Sequence, residues 1–313
     1  MTDKKPMPSH HGPAGEGGDH ENETIQLLLG RASVRDFEST PIPDDVFETL
    51  MRAAAHAPTG GNLQPYSIVA VREQTTKDRL TEMCGGQRFI SRAPVALMFC
   101  LDYHRLERWA RLEGAPFSAR DSFMSFWIAL QDTIIAAQNI CTAADALGLG
   151  SVYVGSIMST FTYIRRMLEL PEGVFPVVLL SLGYPKKRPA PRKKLPPAVF
   201  VHDEKYAELP DDELRAVYDE KYDHARIEAH PERIATLEKV VRRVHGDDEA
   251  AEMLVEIGER GHLTMAQRYF GLHYRADMMP VFNESILAAF KEAGFGCLAP
   301  YERDWEFDDE EVA

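Results

Sequence analysis

Cysteine and positive charge are scarce in this chain. Its four cysteines stand at 84, 100, 141 and 297 in 313 residues. No two share the C-x-x-C or finger spacing, which argues against structural zinc. Lys and Arg number 35 against 49 Asp and Glu, a formal net charge of −14. A dedicated nucleic-acid binder or a protein for anionic membranes needs a broad basic face, so both classes are excluded; a local anion site is not. Long apolar runs are also missing. The greasiest stretch, Ser122–Gly148, is interrupted by Gln131, Asp132, Gln138, Asn139 and Asp145. It falls short of the roughly 18 consecutive apolar residues a membrane helix needs. Residues 1–22 lack the apolar segment of a secretory signal and are polar, rich in Gly, His and Pro. A disordered leader on a cytoplasmic protein with reduced thiols is expected. His10, His11 and His20 read as a solvated tail, not a metal site, and Cys84 as a small buried filler.

The charge that is present is unevenly spread. Residues 201–313 hold 28 acidic and 13 basic side chains, whereas residues 1–200 hold 21 and 22. Seven acids crowd into Glu302–Glu311, which predicts a solvated acidic tail over 301–313.

Hydrophobic periodicity divides the chain the same way. Strand patterns fall at Tyr66–Val71, Pro94–Asp102, Gly148–Gly155 and Val174–Leu182, and the second reads as fully buried. Helical patterns fall between them. The longest, Ser122–Leu147, is apolar around most of its circumference, as in a central buried helix or an oligomer interface. The alternation predicts an α+β fold with a mixed sheet flanked by helices. Beyond residue 201 the pattern is helical: Asp211–Tyr222, Pro231–His245, Asp248–Gly261 and Met279–Gly294.

Candidate site residues cluster in a few loops. Arg31-x-Ser33-x-Arg35 offers two guanidinium forks and a hydroxyl, suited to a phosphate or the polar edge of a heteroaromatic ring. Thr59-Gly60-Gly61-Asn62 and Gly85-Gly86-Gln87 are loops where backbone can approach a ligand closely. Lys186–Lys194 packs six cations into nine residues, either an anion site or a clasp for the acidic C-terminal part. Gly148-Leu149-Gly150 is not a dinucleotide fingerprint: Tyr153 stands where the third glycine belongs, and the segment follows a helix. No nucleophile elbow, H-E-x-x-H or Walker loop occurs, and no metal site is expected. Amides, arginines and glycines without acid–base pairs suggest that a cofactor performs the chemistry, with no catalytic side chain of the protein's own.

These motifs occur in an order that resembles the FMN-dependent nitroreductase family. The resemblance covers about residues 23–206. It is carried by Arg31-x-Ser33-x-Arg35-x-Phe37, Ala57-Pro58 to Gln64-Pro65, Gly85-Gly86-Gln87, Gly148-Leu149-Gly150-x-Val152-Tyr153-x-Gly155 and Leu182-Gly183-Tyr184-Pro185 with Arg192-Lys193-Lys194. The details are most similar to the NADPH-preferring branch, the oxygen-insensitive nitroreductases and NADPH–flavin oxidoreductases. The resemblance implies an interlocked homodimer with FMN at the subunit interface. Arg31, Ser33 and Arg35 would hold the flavin's polar edge and ribityl-phosphate. Thr59, Gly61 and Asn62 would line the flavin of the other subunit, and Gln87 would bond the ring. Tyr153, Val154, Gly155 and Ser156 would place a backbone amide at flavin N5, and Arg192 and Lys194 would bind the phosphate. Where relatives carry Lys-Pro-Arg, this chain has Arg192-Lys193-Lys194. Arg226 is the candidate for the NADPH 2′-phosphate, with Arg242 and Arg243 nearby.

The implied activity is transfer of a hydride from NADPH or NADH through FMN to a nitroaromatic, a quinone or free flavin, with ping-pong kinetics. Two other readings stay open: a specialised member of the family (dehalogenase, ene-reductase or flavin-fragmenting enzyme) and a non-catalytic flavin-binding sensor or partner protein. The expected organisation is a leader (1–22), an FMN-binding domain (23–206), a helical C-terminal extension with an insertion (207–300) and the acidic tail (301–313).

Overall fold

The computed structural model describes residues 22–223 and 225–300. The leader with its histidines and the acidic tail fall outside the described residues. The chain opens with α1 (Glu23–Leu29), α2 (Asp44–Ala55), β1 (Tyr66–Val71), α3 (Gln74–Met83) and α4 (Phe89–Arg92). It continues through β2 (Val95–Asp102), α5 (His104–Leu112), α6 (Phe123–Ala146), β3 (Gly150–Val154), α7 (Phe161–Met167) and β4 (Val174–Gly183).

The four strands form one sheet in the order β1-β2-β4-β3, and every neighbouring pair is antiparallel. The mixed sheet expected from the sequence is therefore corrected to an antiparallel one. The expectation rested on the alternation of helices and strands, which does not fix strand direction, and the apolar run of β2, whose eight residues are all buried, does not fix it either. Such a run reports that both faces are covered, whatever the strand direction. Val95, Leu97 and Phe99 face a core shared with α2 and α6. Ala96, Met98 and Cys100 face the opposite core, shared with α7 and the C-terminal helix described below. Leu101 also packs on that second side, and the pairing with β4 shifts register between Phe99 and Cys100, where Val177 of β4 is the extra residue.

Helix α6 runs beneath the sheet. Ser122 caps it by accepting the amide of Ser125 at 3.2 Å. Phe126, Ala129, Thr133, Ala136, Ala137, Ile140 and Ala144 are buried along one face. The opposite face carries Met124, Trp127, Ile128, Ile134 and Ile135, all exposed. The spacing 124, 127, 128, 131, 134, 135 is that of one stripe along a helix. Apolar character around the whole circumference thus has two sources, a core face and an uncovered one.

The C-terminal region holds α8 (Asp211–Lys221), β5 (Ile227–Glu228), α9 (Pro231–Val244), α10 (Asp247–Arg260), β6 (His262–Leu263), a π-helical turn (Gln267–His273) and α11 (Phe282–Glu292). It is not purely helical, because β5 and β6 pair antiparallel. Strands of two residues are too short to leave a periodic signal. Leu237, Met253, Ile257 and Leu263 form a separate small core there. Helix α11 instead returns to the main core, where the ring of Phe290 stacks on Phe175 at 4.1 Å and meets Phe126 edge-on at 5.2 Å.

Asp277 ties the two parts of this region together. It accepts hydrogen bonds from Arg275 and from Arg243 of α9, each at 2.8 Å, with its side chain only 3% exposed. The Arg275 hydrogen bond, helped by Arg243, holds its pKa at about 2, below the ordinary 3.8. A folded-state pKa below the unfolded value stabilises the fold above the unfolded pKa, and the gain is lost as pH falls through the folded one. The Tm deficit of Asp277→Asn against wild type should be widest near neutrality and close as pH drops from about 4 to about 2. A deficit independent of pH would contradict this.

Candidate functional site

The segment after α1 lies along the edge strand β3. Val34 donates its amide to Ser151 O at 3.0 Å, and Phe37 forms a bridge with Pro185. Val34 and Phe37 are buried. Gly150 is required beneath Val34, since a Cβ there would stand 2.4 Å from a Val34 methyl. Val34 is thereby pinned, and Arg31, Ser33 and Arg35 lie on either side of it. The Arg31 Nε and one Nη are buried with no hydrogen-bond partner. The nearest counter-charge is Asp145 of α6, 3.8 Å from Nε. Asp145 Oδ1 accepts Arg188 Nη1 at 2.8 Å, while Oδ2, the oxygen facing Arg31, has no hydrogen-bond partner; Arg188 Nη2 donates to Leu149 O at 2.6 Å. Asp145 carried no sequence signal, and Arg188 showed only as part of the basic run.

Two further predicted residues meet beside this segment. Gln87 Nε2 donates to Ser156 Oγ at 2.7 Å and to Cys84 O at 2.8 Å. Ser156 Oγ in turn donates to Cys84 O at 3.2 Å. Gly85 and Gly86 adopt φ of 74° and 73°, which favours glycine, and open space surrounds them and Gly155. The Arg35 guanidinium lies 5.9 Å from the Phe89 ring, on the helix following Gln87. Cys84 is fully buried and burial pushes its thiol pKa up, so it acts as packing and not as a nucleophile. Val154 buries its side chain in the core. The Tyr153 hydroxyl donates to Gln138 Oε1 on α6 at 3.4 Å. Burial pushes the Tyr153 phenol pKa well above its ordinary value, so it stays protonated.

The loop Thr59–Gln64 is built differently. Gly61, Asn62 and Gln64 have φ of 59°, 56° and 49°, left-handed conformations that cost a non-glycine residue strain. Thr59 Oγ1 accepts the Gln64 amide at 3.2 Å, and Gln64 Nε2 donates to Ala55 O at 3.1 Å. The Gly60 amide is held by Asp132 of α6, whose carboxyl pKa is raised by burial. Asp132 and Asp145 thus anchor the two candidate clusters thirteen residues apart on α6, roughly 20 Å along its axis. No hydrogen bond among the described residues joins the two clusters.

The basic loop divides its cations. Lys193 reaches Glu220 at 3.1 Å and Asp223 at 3.7 Å, clasping the end of α8. Arg192 and Lys194 are exposed, with no ion pair among the described residues. In the C-terminal region Arg226 lines a cavity of about 450 Å³ with Arg233, Arg268, His273 and Glu228. Arg242 and Arg243 are committed to Glu238, Asp247 and Asp277. No cluster of His, Cys, Asp or Glu fit to hold a metal occurs among the described residues, nor any helix long and apolar enough to cross a membrane.

Comparison with known proteins places this geometry in context. The chain is 33% identical over 198 residues to an oxygen-insensitive NADPH nitroreductase of Salmonella typhimurium, covering 63% of this chain and 80% of the relative. It is 31% identical to a Cr(VI) reductase of a Pseudomonas species, covering 71% of this chain and 95% of the relative. A solved structure of the NADPH:FMN oxidoreductase of Vibrio harveyi, complexed with NAD+, superposes with a TM-score of 0.61 at 31% identity. That match covers 65% of this chain and 86% of the other. The sequence profile of the nitroreductase family matches residues 28–184, the span that holds β1–β4 and all but the basic-loop and C-terminal candidates, and the chain belongs to the nitroreductase family.

Proposed function

We propose that the protein is an FMN-dependent oxidoreductase that takes electrons from NADPH or NADH and delivers them to nitroaromatics, quinones or free flavin. The observation that carries this reading is the Arg31 guanidinium. Two of its nitrogens are out of water without a protein acceptor, a costly state that an anionic or carbonyl-rich ligand relieves. The open space around Gly85, Gly86 and Gly155 suits the close approach of a planar ring, so the residues present fit FMN. FMN, when bound, supplies the hydride-accepting and hydride-donating chemistry that the protein's own side chains lack. Arg31, Ser33 and Arg35 bind and orient its polar side, and the Arg31 charge stabilises negative charge that develops there. Gln87, fixed by Ser156, presents its remaining amide oxygen to the ring. The backbone of Tyr153–Ser156 lines the ring, and Arg192 and Lys194 hold the phosphate.

Thr59, Gly61 and Asn62 belong to the site of the second subunit in this reading. The two clusters are anchored roughly 20 Å apart along α6 and no hydrogen bond among the described residues joins them, which suits contacts to two different flavins. The uncovered stripe Met124–Ile135 supplies the homodimer surface. Residues 23–206 form the FMN-binding domain and 207–300 a C-terminal extension. The cavity around Arg226 takes the 2′-phosphate of NADPH, aided by Arg233 and Arg268. The four cysteines are buried and free, as in a reducing compartment, and we assign the protein to the cytoplasm.

Purified protein should be yellow, or become so on titration with FMN, and should oxidise NADPH faster when menadione is added, with parallel double-reciprocal lines. A colourless protein that takes up no FMN would overturn the reading. Flavin binding without acceptor-stimulated turnover would favour a sensor. Arg226→Ala should lower kcat/KM for NADPH about fivefold, the worth of one partly solvated charge-assisted contact, and leave NADH nearly unchanged. Equal effects on the two nucleotides would remove Arg226 from the phosphate site.

A further inference from the structure

The loop that carries Thr59, Gly61 and Asn62 is held from outside by two oppositely charged side chains. Asp132, in the middle of α6 and only 4% exposed, receives the Gly60 amide on both carboxylate oxygens, at 3.1 and 3.2 Å. No other hydrogen bond or ion pair reaches that carboxylate among the described residues. From α5, Arg105 Nη2 donates to Gln64 O at 2.6 Å and to Tyr66 O at 3.1 Å. One group therefore takes the loop's entering amide and the other takes its leaving carbonyls. The fit beneath the loop is close: a Cβ on Gly60 would stand 2.8 Å from a methyl of Ile128 on α6. The outer side, Gly60 to Leu63, is exposed.

This is a costly way to hold a plain turn. Burying a carboxylate whose hydrogen bonding is a single main-chain amide loses more hydration than the bond returns. The loop itself keeps three residues out of four in the left-handed region, two of them not glycine. Strain of that kind persists where the surroundings over-determine it, commonly at ligand-binding edges. Neither Asp132 nor Arg105 is among the groups that would touch FMN.

We propose that Asp132 and Arg105 are positioning residues that clamp residues 60–66 and so present Gly61 and Asn62 to the flavin in a single, preorganised conformation. The role rests on the reading that this loop lines FMN. Binding energy is then not spent on ordering the loop, so loss of either grip shows first as weaker flavin affinity.

The test is FMN titration and amide hydrogen exchange on full-length Asp132→Ala, Asp132→Asn, Arg105→Ala and Thr133→Val. Thr133 is equally buried on α6, but its hydroxyl bonds only Ala129 O of its own helix. Asp132→Ala should raise the FMN Kd about tenfold, in line with the cost of small misplacements in a preorganised site. Arg105→Ala, removing a half-exposed side chain, should raise it less. Asp132→Asn keeps an acceptor for the Gly60 amide and should stay near wild type, as should Thr133→Val. Exchange at Gly60 should quicken in Asp132→Ala even without FMN. The role is overturned if Asp132→Ala binds FMN like wild type, or if Asp132→Asn is as weak as Asp132→Ala. Should Asp132→Ala fail to fold, an Arg105→Ala protein with wild-type affinity overturns it instead. Wild-type protein that takes up no FMN overturns the flavin reading itself, and the positioning role with it.

Discussion

Arg31→Ala is expected to raise the FMN Kd by about thirtyfold, the effect of losing about 2 kcal/mol from a desolvated charge-assisted contact. The size follows from where the guanidinium sits. It is anchored by the Val34–Ser151 pairing beside it, its Nε and one Nη are buried, and neither has an acceptor on the protein. Asp145 Oδ2 at 3.8 Å supplies counter-charge but stands too far for a hydrogen bond, while Oδ1 of the same carboxylate serves Arg188. The side chain is thus held ready, and the ligand collects the full interaction. Arg31→Lys keeps charge but not the planar fork and should fall between wild type and alanine. Equilibrium titration by flavin fluorescence measures all three. If Arg31→Ala binds FMN as tightly as wild type, Arg31 faces something other than the flavin.

A double substitution on α6, Ile128→Asp with Ile135→Asp, is expected to convert the protein to monomers at micromolar concentration. Both side chains lie on the uncovered stripe, 41% and 37% exposed; because Ile128 also packs beneath Gly60, the single Ile135→Asp protein separates loss of the dimer from damage to that loop. A two-fold interface contains both residues from each copy, four in all. At about 2 kcal/mol for a whole isoleucine, of which only about two-fifths remains to be buried, the loss over four is roughly 3 kcal/mol, about two-hundredfold in dimer Kd, before the larger cost of burying four carboxylates. Sedimentation velocity reads the mass, and the absorbance of co-sedimenting flavin reads the cofactor. FMN should leave with the dimer, since Thr59, Gly61 and Asn62 then no longer reach the partner's Arg31 cluster. A wild-type protein that sediments as a monomer with FMN bound would remove the shared site.

Much of the framework is legible in the order of the residues. β1 was predicted at Tyr66–Val71 and is found there, and β2, β4 and α6 differ from expectation by a residue or so at their ends. Those elements have strong periods of two or 3.6, and such signals are local. Helix α4 and the β5–β6 pair leave no readable period because they span only two to four residues, whereas α5 does carry one, in Leu106, Trp109 and Ala110, that the sequence reading passes over. Asp132 escapes because such signals are local. In sequence it was only an interruption in a greasy run; its partner, Gly60, stands 72 residues away.

The strands and helices, the family resemblance over residues 23–206, and the loops rich in arginine, glycine and amides can all be read in residue order. That the sheet is antiparallel, and that one stripe of α6 is left bare, emerges only once the chain is folded. Folding also decides how the cations are used: Lys193 closes on Glu220, Arg188 on Asp145, and Arg31 keeps unpaired nitrogens. The physical reason is range. Periodicity and turn chemistry act over a few residues and can be read in order. The fate of a charge depends on which of many similar partners the fold brings within about 3 Å of it, and that is settled by how the chain closes over tens to hundreds of residues.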